Sequence, residues 1–190
     1  MKTVFTTGDV SRICKVAPRT VSKWFDSGRL KGYRVPGSSD NRRRIPRESL
    51  LAFLKEHGLP TDAFNDEAYH KILFVGAESL FVERLQALLP EKEGYRYEVT
   101  HSGFEAGVAA EYCHPDIIIL DLAMGRGECL QIAQNVKRNE AYAETRLIAL
   151  ASEDETDDLT RFGFSVAFKK PFDVALVAER IRASVLEVVE

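Results

Sequence analysis

The sequence is poor in the residues that staple small folds together, with 3 cysteines, 2 methionines and 1 tryptophan. Cys14, Cys113 and Cys129 are odd in number and lack the close paired spacing of zinc or redox motifs, which argues against a disulfide framework and for a reducing compartment. Cys113-His114 has metal-ligating chemistry, but no second pair completes a tetrahedral set, so the expectation is packing and no metal site. The longest purely apolar run near the middle, Ile117 to Leu120, is far short of the about 20 residues that a membrane-spanning helix needs. The amino-terminal end lacks a signal-peptide core. No glycine-rich phosphate loop and no nucleophile with an adjacent base are evident, which argues against an enzyme. Together these absences lead to the expectation of a soluble, cytoplasmic, non-enzymatic protein with no membrane partner.

Among its 190 residues, 45% are hydrophobic, enough for folded cores, and the length suits two small domains better than one. The net charge of −3 conceals a division. Residues 1–60 hold 13 Lys+Arg against 5 Asp+Glu, a net of +8, and residues 61–190 hold 13 against 24, a net of −11. A basic amino-terminal part joined to an acidic remainder fits a polyanion-binding module tied to a module that does not bind nucleic acid.

In the basic part, Thr7 is expected to cap a helix that runs through Cys14, with Val10 and Ile13 buried. Pro18 suits the first turn of a second helix, in which Val21, Trp24 and Phe25 form an apolar stripe and Gly28 the stop. Arg19, Thr20, Ser22 and Lys23 lie at its amino-terminal end, the part that meets base edges and phosphates in a major groove. Leu30 to Val35 alternates as a strand, Pro36 to Asn41 is rich in turn formers, and Arg42 to Ile45 returns antiparallel as a hairpin. Pro46 opens another helix with Leu50, Leu51, Phe53 and Leu54 on its apolar face and Gly58 at its end. The expected architecture is a small winged helix-turn-helix over residues 1–58. Tyr33, Arg42, Arg43 and Arg44 are its wing candidates for DNA contact, although Arg44 also reads as a stem covering the apolar face.

These pieces resemble the DNA-binding domain shared by the MerR and excisionase families: Phe5-Thr6-Thr7-Gly8-Asp9-Val10, Val21-Ser22-Lys23-Trp24, Gly28-Arg29-Leu30, Arg43-Arg44-Ile45-Pro46 and Leu50-Leu51-Ala52-Phe53-Leu54. The resemblance implies a second helix in the major groove of double-stranded DNA and a wing along the backbone or minor groove. The long coiled-coil helix of the ligand-sensing members is not apparent.

Residues 59–69 carry Pro60, acidic side chains and little periodicity, and are expected to be a linker. Residues 70–190 then alternate strands with helices: Ile72 to Val75, Leu80 to Leu89, Tyr97 to Thr100, a helix to Cys113, Asp116 to Leu122, a helix to Asn139, Leu147 to Leu150, a short helix to Phe162, Val166 to Phe168 and a helix from Asp173. Ser102 with Glu105 reads as a capping box. Such alternation predicts an α/β flavodoxin-like domain, a five-stranded parallel sheet covered on both faces, with a crevice at the carboxyl ends of its strands where Asp121 falls.

Pro115-Asp116-Ile117-Ile118-Ile119-Leu120-Asp121-Leu122-Ala123-Met124 and Phe168-Lys169-Lys170-Pro171-Phe172 resemble the receiver domain of bacterial response regulators. The resemblance implies that Asp121 holds the phosphoacceptor position and Lys170 the position that pairs with the phosphoryl group. Four positions depart from the pattern. Gly76-Ala77 stands where receivers place two acidic residues for magnesium, with Glu78 adjacent. Ala151 stands at the switch hydroxyl, with Ser152 one place later, and Ala167 at the switch aromatic, with Phe168 one place later. These departures favour a pseudo-receiver in which Asp121 and Lys170 form an ion pair, with no cofactor unless Asp121 is phosphorylated and takes magnesium. Asp121 also reads as a strand-end carboxylate capping the next loop.

The expected function is a transcription regulator that binds DNA as a homodimer and uses its receiver-like domain for dimerisation or for a signalling protein partner. Two alternatives stand beside it: a response regulator controlled by phosphorylation of Asp121, and an interaction scaffold or excisionase-like architectural factor. Ile181, Val185 and Val189 are candidates for a dimer face or for the core stripe of the last helix. The acidic tract Glu153 to Asp158 reads as a solvated helix start or as a segment that docks on the basic wing.

Overall fold

The computed structural model describes residues 2–35, 42–152 and 159–186, and the chain divides into two units, one made of the residues through Tyr69 together with those from Ser184 onward and one spanning His70–Ala183. The wing tip Pro36 to Asn41, the acidic tract Glu153 to Asp158 and Val189 lie outside the described residues.

The first unit runs β1 (Val4–Phe5), α1 (Thr7–Cys14), α2 (Pro18–Asp26), β2 (Tyr33–Arg34), β3 (Arg43–Pro46), α3 (Arg47–Glu56) and α4 (Asp62–Glu67). Its three strands form an antiparallel sheet in the order β1-β3-β2. The hairpin is the expected one, with β1 as an added strand too short to carry an alternating signal. Thr6, one residue earlier than expected, caps α1: its hydroxyl accepts the Asp9 N–H at 3.1 Å, and the Asp9 carboxylate accepts the Thr6 N–H at 2.8 Å. This reciprocal pair is a capping box, with aspartate in the acidic position. Gly28, at φ +76°, adopts the left-handed conformation that turns the chain after α2.

Phe5, Val10, Val21, Leu30, Ile45 and Leu54 are among the side chains buried at the centre of this unit. The expected linker is structured at its middle: α4 buries Phe64 against Phe5, ring centroids 5.4 Å apart, and Ala68 follows it into the core. Lys2 donates its N–H to the Ala68 carbonyl at 2.6 Å, and Arg12 meets Glu67 at 3.2 Å. Two apolar positions among acidic residues give no helical period, and a six-residue helix is stable only through such tertiary contacts. Burying one phenylalanine contributes about 1.5–3 kcal/mol, a large share in a domain this small.

The second unit runs β4 (His70–Val75), α5 (Ser79–Leu88), β5 (Tyr95–Thr100), α6 (Gly103–Cys113), β6 (Ile117–Asp121), α7 (Arg126–Arg138), β7 (Arg146–Ala151), β8 (Phe164–Lys169) and α8 (Val174–Leu186). Its parallel sheet has the order β5-β4-β6-β7-β8, the expected five-stranded flavodoxin-like arrangement. Every residue of β4 and β6 is buried, as their unbroken apolar runs require for central strands. Leu73 and Val75 pack with Ala106 and Ala110 of α6 and Ala133 of α7, while Phe74 turns to the other face against Phe81 of α5 and Tyr97. Ser102 caps α6 by accepting the Glu105 N–H at 3.2 Å, but Glu105 accepts from His101 at 2.8 Å, so the expected box is half formed. Ile181 is fully buried and belongs to the core, which removes it from the expected dimer face. Among the described residues no helix is long and apolar enough to cross a membrane.

Candidate functional site

α2 begins at Pro18, behind Ala17 in an extended conformation with no capping side chain. Proline is pre-set for a helix start, and anions are favoured at a helix amino terminus. Val21 is fully buried, and Trp24 packs on Phe53 at 5.0 Å, as the apolar stripe required. Arg19 and Lys23 are exposed, and Thr20 and Ser22 are half-buried beside them.

The wing is bound to α2 through Asp26. Its carboxylate meets Arg34 of β2 at 2.7 Å and Arg43 of β3 at 2.9 Å, and both guanidinium groups lie over the Phe25 ring, at 5.7 and 5.8 Å. The Arg43 hydrogen bond, reinforced by the charges of both arginines, holds the Asp26 carboxyl below its ordinary range. Arg43 is thus half-buried and paired where a free wing cation was expected. Arg42 and Tyr33 are half-buried. Arg44 is 6% exposed, with Nη1 donating to the Arg43 carbonyl at 3.4 Å, so it covers the core and leaves the expected set of DNA contacts. Its own carbonyl would lie 2.3 Å from a Cβ on Gly32, an approach that only glycine permits. Sequence reasoning missed Phe25, Asp26 and Arg34 as wing anchors. The hairpin register, which pairs Arg34 with Arg43, was the available signal.

In the second unit the carboxyl ends of the strands frame a crevice of about 400 Å3, lined by Glu78, Phe81, Arg84, Asp121, Lys170 and Phe172 among others. Asp121 is 2% exposed, and Lys170 Nζ lies 2.8 Å from Oδ1 and 2.6 Å from Oδ2. Oδ1 also accepts the Ala123 N–H at 3.0 Å, so the carboxylate both pairs with lysine and caps the following turn. The two readings of Asp121 hold together.

Gly76 has φ +72°, and a Cβ placed there would lie 2.8 Å from Met124 Sδ and 2.9 Å from Met124 Cβ. Ala77 beside it is buried. Glu78 is exposed at the rim, and exposed Ser152 does not line the crevice. The structure therefore brings Asp121, Lys170 and Glu78 together and leaves Ser152 out. Among the described residues no group of three His, Cys, Asp or Glu side chains is placed to hold a metal ion.

The models of two families match the chain: a helix-turn-helix domain over residues 4–58 and a response regulator receiver domain over residues 72–182. Transcriptional regulatory protein TrcR of Mycobacterium tuberculosis is 26% identical over 147 residues, 76% of this chain and 54% of TrcR, so the chain spans about half of that relative. Protein PilG of Pseudomonas aeruginosa is 29% identical over 111 residues, 57% of this chain and 82% of PilG. The signal receiver domain of a DNA-binding response regulator (merR) from Colwellia psychrerythraea superposes with a TM-score of 0.53 at 24% identity, covering 60% of this chain and 97% of that one. The receiver domain of sensor histidine kinase PA1611 from Pseudomonas aeruginosa, solved with magnesium in its active-site cleft, gives 0.51 at 21% identity, covering 62% and 98%. The two matched segments lead to one conclusion: the chain belongs to the response regulator receiver family and carries a helix-turn-helix DNA-binding domain at its amino-terminal end.

Proposed function

We propose that this protein is a transcription regulator that binds double-stranded DNA as a homodimer and whose receiver domain works by protein contact, without phosphorylation. The observation that carries this reading is the state of the acceptor carboxylate. Both oxygens of Asp121 are held by Lys170, and a Cβ at the left-handed Gly76 would press on the Met124 side chain at 2.8–2.9 Å.

Magnesium takes near-octahedral oxygen coordination and is usually held by one or two carboxylates plus phosphate oxygens. Here Gly76 and Ala77 offer no side-chain donor, and Asp121 is committed to an ammonium group. These residues do not fit a magnesium site, and no step of the reading passes through one. The Asp121–Lys170 pair instead acts as a strut that fixes the β8 to α8 connection against β6.

On the DNA side, Arg19, Thr20, Ser22 and Lys23 contact the major groove, and Arg42 and Tyr33 flank it from the wing. Arg34 and Arg43, braced by Asp26, hold the wing at a fixed angle to α2. One small reader contacts few base pairs, so two copies on half-sites spaced by about 34–36 Å, or multiples of it, supply specificity. No enzymatic activity is assigned.

Incubation of the full chain with acetyl phosphate and magnesium, followed by intact-mass measurement, tests the receiver part. The expected spectrum is unchanged, and a labile phosphoryl adduct on Asp121 would overturn the reading.

A further inference from the structure

α6 carries Phe104, Val108 and Tyr112 at four-residue spacing, exposed at 83%, 59% and 85%. Four-residue steps place them on one stripe of the helix. The sheet-facing side of α6 is already committed, since Ala106 and Ala110 are buried with Leu73 and Val75. Single exposed apolar residues are ordinary, but two aromatic rings and a valine in one stripe form the kind of patch that marks an interaction surface.

The sequence around Val108 reads nearly alike in both directions. Phe104 matches Tyr112, Glu105 matches Glu111, Ala106 matches Ala110, and Gly107 matches Ala109. A twofold contact requires a surface complementary to itself, and this order provides one. When two α6 helices lie antiparallel about an axis through Val108, Phe104 of one copy stands level with Tyr112 of the other. The flanking acids are held within their own copy: Glu105 accepts the His101 N–H at 2.8 Å, and Glu111 accepts the Tyr142 hydroxyl at 3.3 Å. Glu105 of one copy stands level with Glu111 of the other, on opposite edges of the seam, and the two copies' Glu105 carboxylates are about 9 Å apart along the axis, close to the screening length at physiological salt.

Two aromatic side chains of about 150–250 Å2 each, with the valine, give roughly 800 Å2 of apolar surface over both copies. With a polar rim, the total reaches the low end of specific interfaces, about 1,200 Å2. We infer that α6 is the homodimer interface, with two copies of this chain paired antiparallel along Phe104, Val108 and Tyr112. The inference rests on the dimeric reading above and supplies its surface. An interface of this size associates weakly by itself, and adjacent half-sites on DNA strengthen it by raising the effective concentration.

Sedimentation equilibrium of the full chain without DNA, up to about 100 µM, tests the inference. The wild-type chain is expected to self-associate, and Phe104→Lys combined with Tyr112→Lys is expected to raise the dissociation constant at least about tenfold. Both positions are exposed, so circular dichroism of the double variant should match the wild type. Val108→Cys places a thiol on the axis and is expected to form a disulfide-linked dimer under mild oxidation, above the background of the native cysteines. Three results overturn the inference: a wild-type chain that stays monomeric throughout, a dimer indifferent to the two lysines, or Val108→Cys cross-linking no more than wild type. The second and third leave DNA binding by a dimer standing and remove only this surface.

Discussion

Asp26, the last residue of α2, accepts two hydrogen bonds from Arg43 of β3, at 3.2 Å from Nε and 2.9 Å from Nη2. The carboxylate that ends α2 thereby ties the wing to that helix, and it also neutralises part of the wing's charge. Asp26→Asn removes one negative charge beside two arginines. The expected result is tighter binding to DNA of any sequence at low salt, with the slope of log K against log salt steeper by about one unit. Fluorescence anisotropy against two unrelated duplexes measures both quantities, and weaker binding to both would mean that wing positioning outweighs charge.

The four arginine and lysine positions should separate by environment. Arg19→Ala and Lys23→Ala, at exposed sites, are each expected to weaken binding and reduce the salt slope by about one unit. Arg43→Ala should weaken all duplexes about equally and change the slope by less, because Asp26 already screens that charge. Arg44→Ala should leave the slope unaltered and lower the urea midpoint, since its side chain covers the core. A slope change for Arg44→Ala as large as that for Lys23→Ala would contradict this placement.

Buried charges make the Asp121–Lys170 pair sensitive to which partner is removed. Lys170→Met leaves an uncompensated carboxylate at 2% exposure, and because the lysine is itself 31% exposed the expected cost is about 2–3 kcal/mol, below the 3–5 kcal/mol of a fully buried pair. Asp121→Asn preserves an oxygen for the Ala123 N–H and leaves a lysine that can reach water, so its cost should be smaller. Urea titration followed by circular dichroism ranks the two variants, and the reverse order would contradict the account.

An acid at position 76 tests the proposed misfit of the crevice to magnesium. Gly76→Asp places a Cβ on a left-handed residue and against Met124, with an expected loss of about 1–3 kcal/mol. Pairing it with Met124→Ala relieves the contact but not the backbone strain, so the double variant should recover only part of the loss in the same titration.

Acid should loosen the first unit through Asp9. Burial pushes its carboxyl pKa up, but Lys2 at 3.3 Å, Arg12 at 2.5 Å and the Thr6 hydrogen bonds outweigh burial and leave it below the ordinary value of 3.8. A lowered carboxylate contributes stability that is complete above the unfolded pKa and is lost as pH falls towards the folded one. Urea midpoints should therefore drop as pH falls below about 4. Asp9→Asn should flatten that limb at a cost of about 1–2 kcal/mol at neutral pH.

Much of this fold is legible because local pattern and tertiary role agree. The apolar runs of β4 and β6 read as central strands because they are buried on both faces, and Asp121 and Lys170 fall at strand ends that the βα alternation fixes. What escaped the sequence depends on contacts between distant segments. Phe64 is one aromatic in an acidic stretch, and only its packing on Phe5 makes α4 a part of the first core. Asp26 is an ordinary helix-end acid until the hairpin brings Arg34 and Arg43 to it. Arg44 is buried next to the buried Ile45 on β3, so the strand does not alternate there, and its basic run conceals that burial. The close fit of Gly76 to Met124 joins two loops 48 residues apart, beyond any local period.

The central claim is that a basic helix and its braced wing bind DNA while the receiver crevice stays chemically silent. It is tested most directly by one titration of the full chain with a fluorescent duplex across a range of salt, repeated after incubation with acetyl phosphate and magnesium. The account predicts binding that weakens steadily with salt and two superimposable sets of curves. No binding even in dilute buffer, or an affinity altered by the phosphodonor, would contradict it.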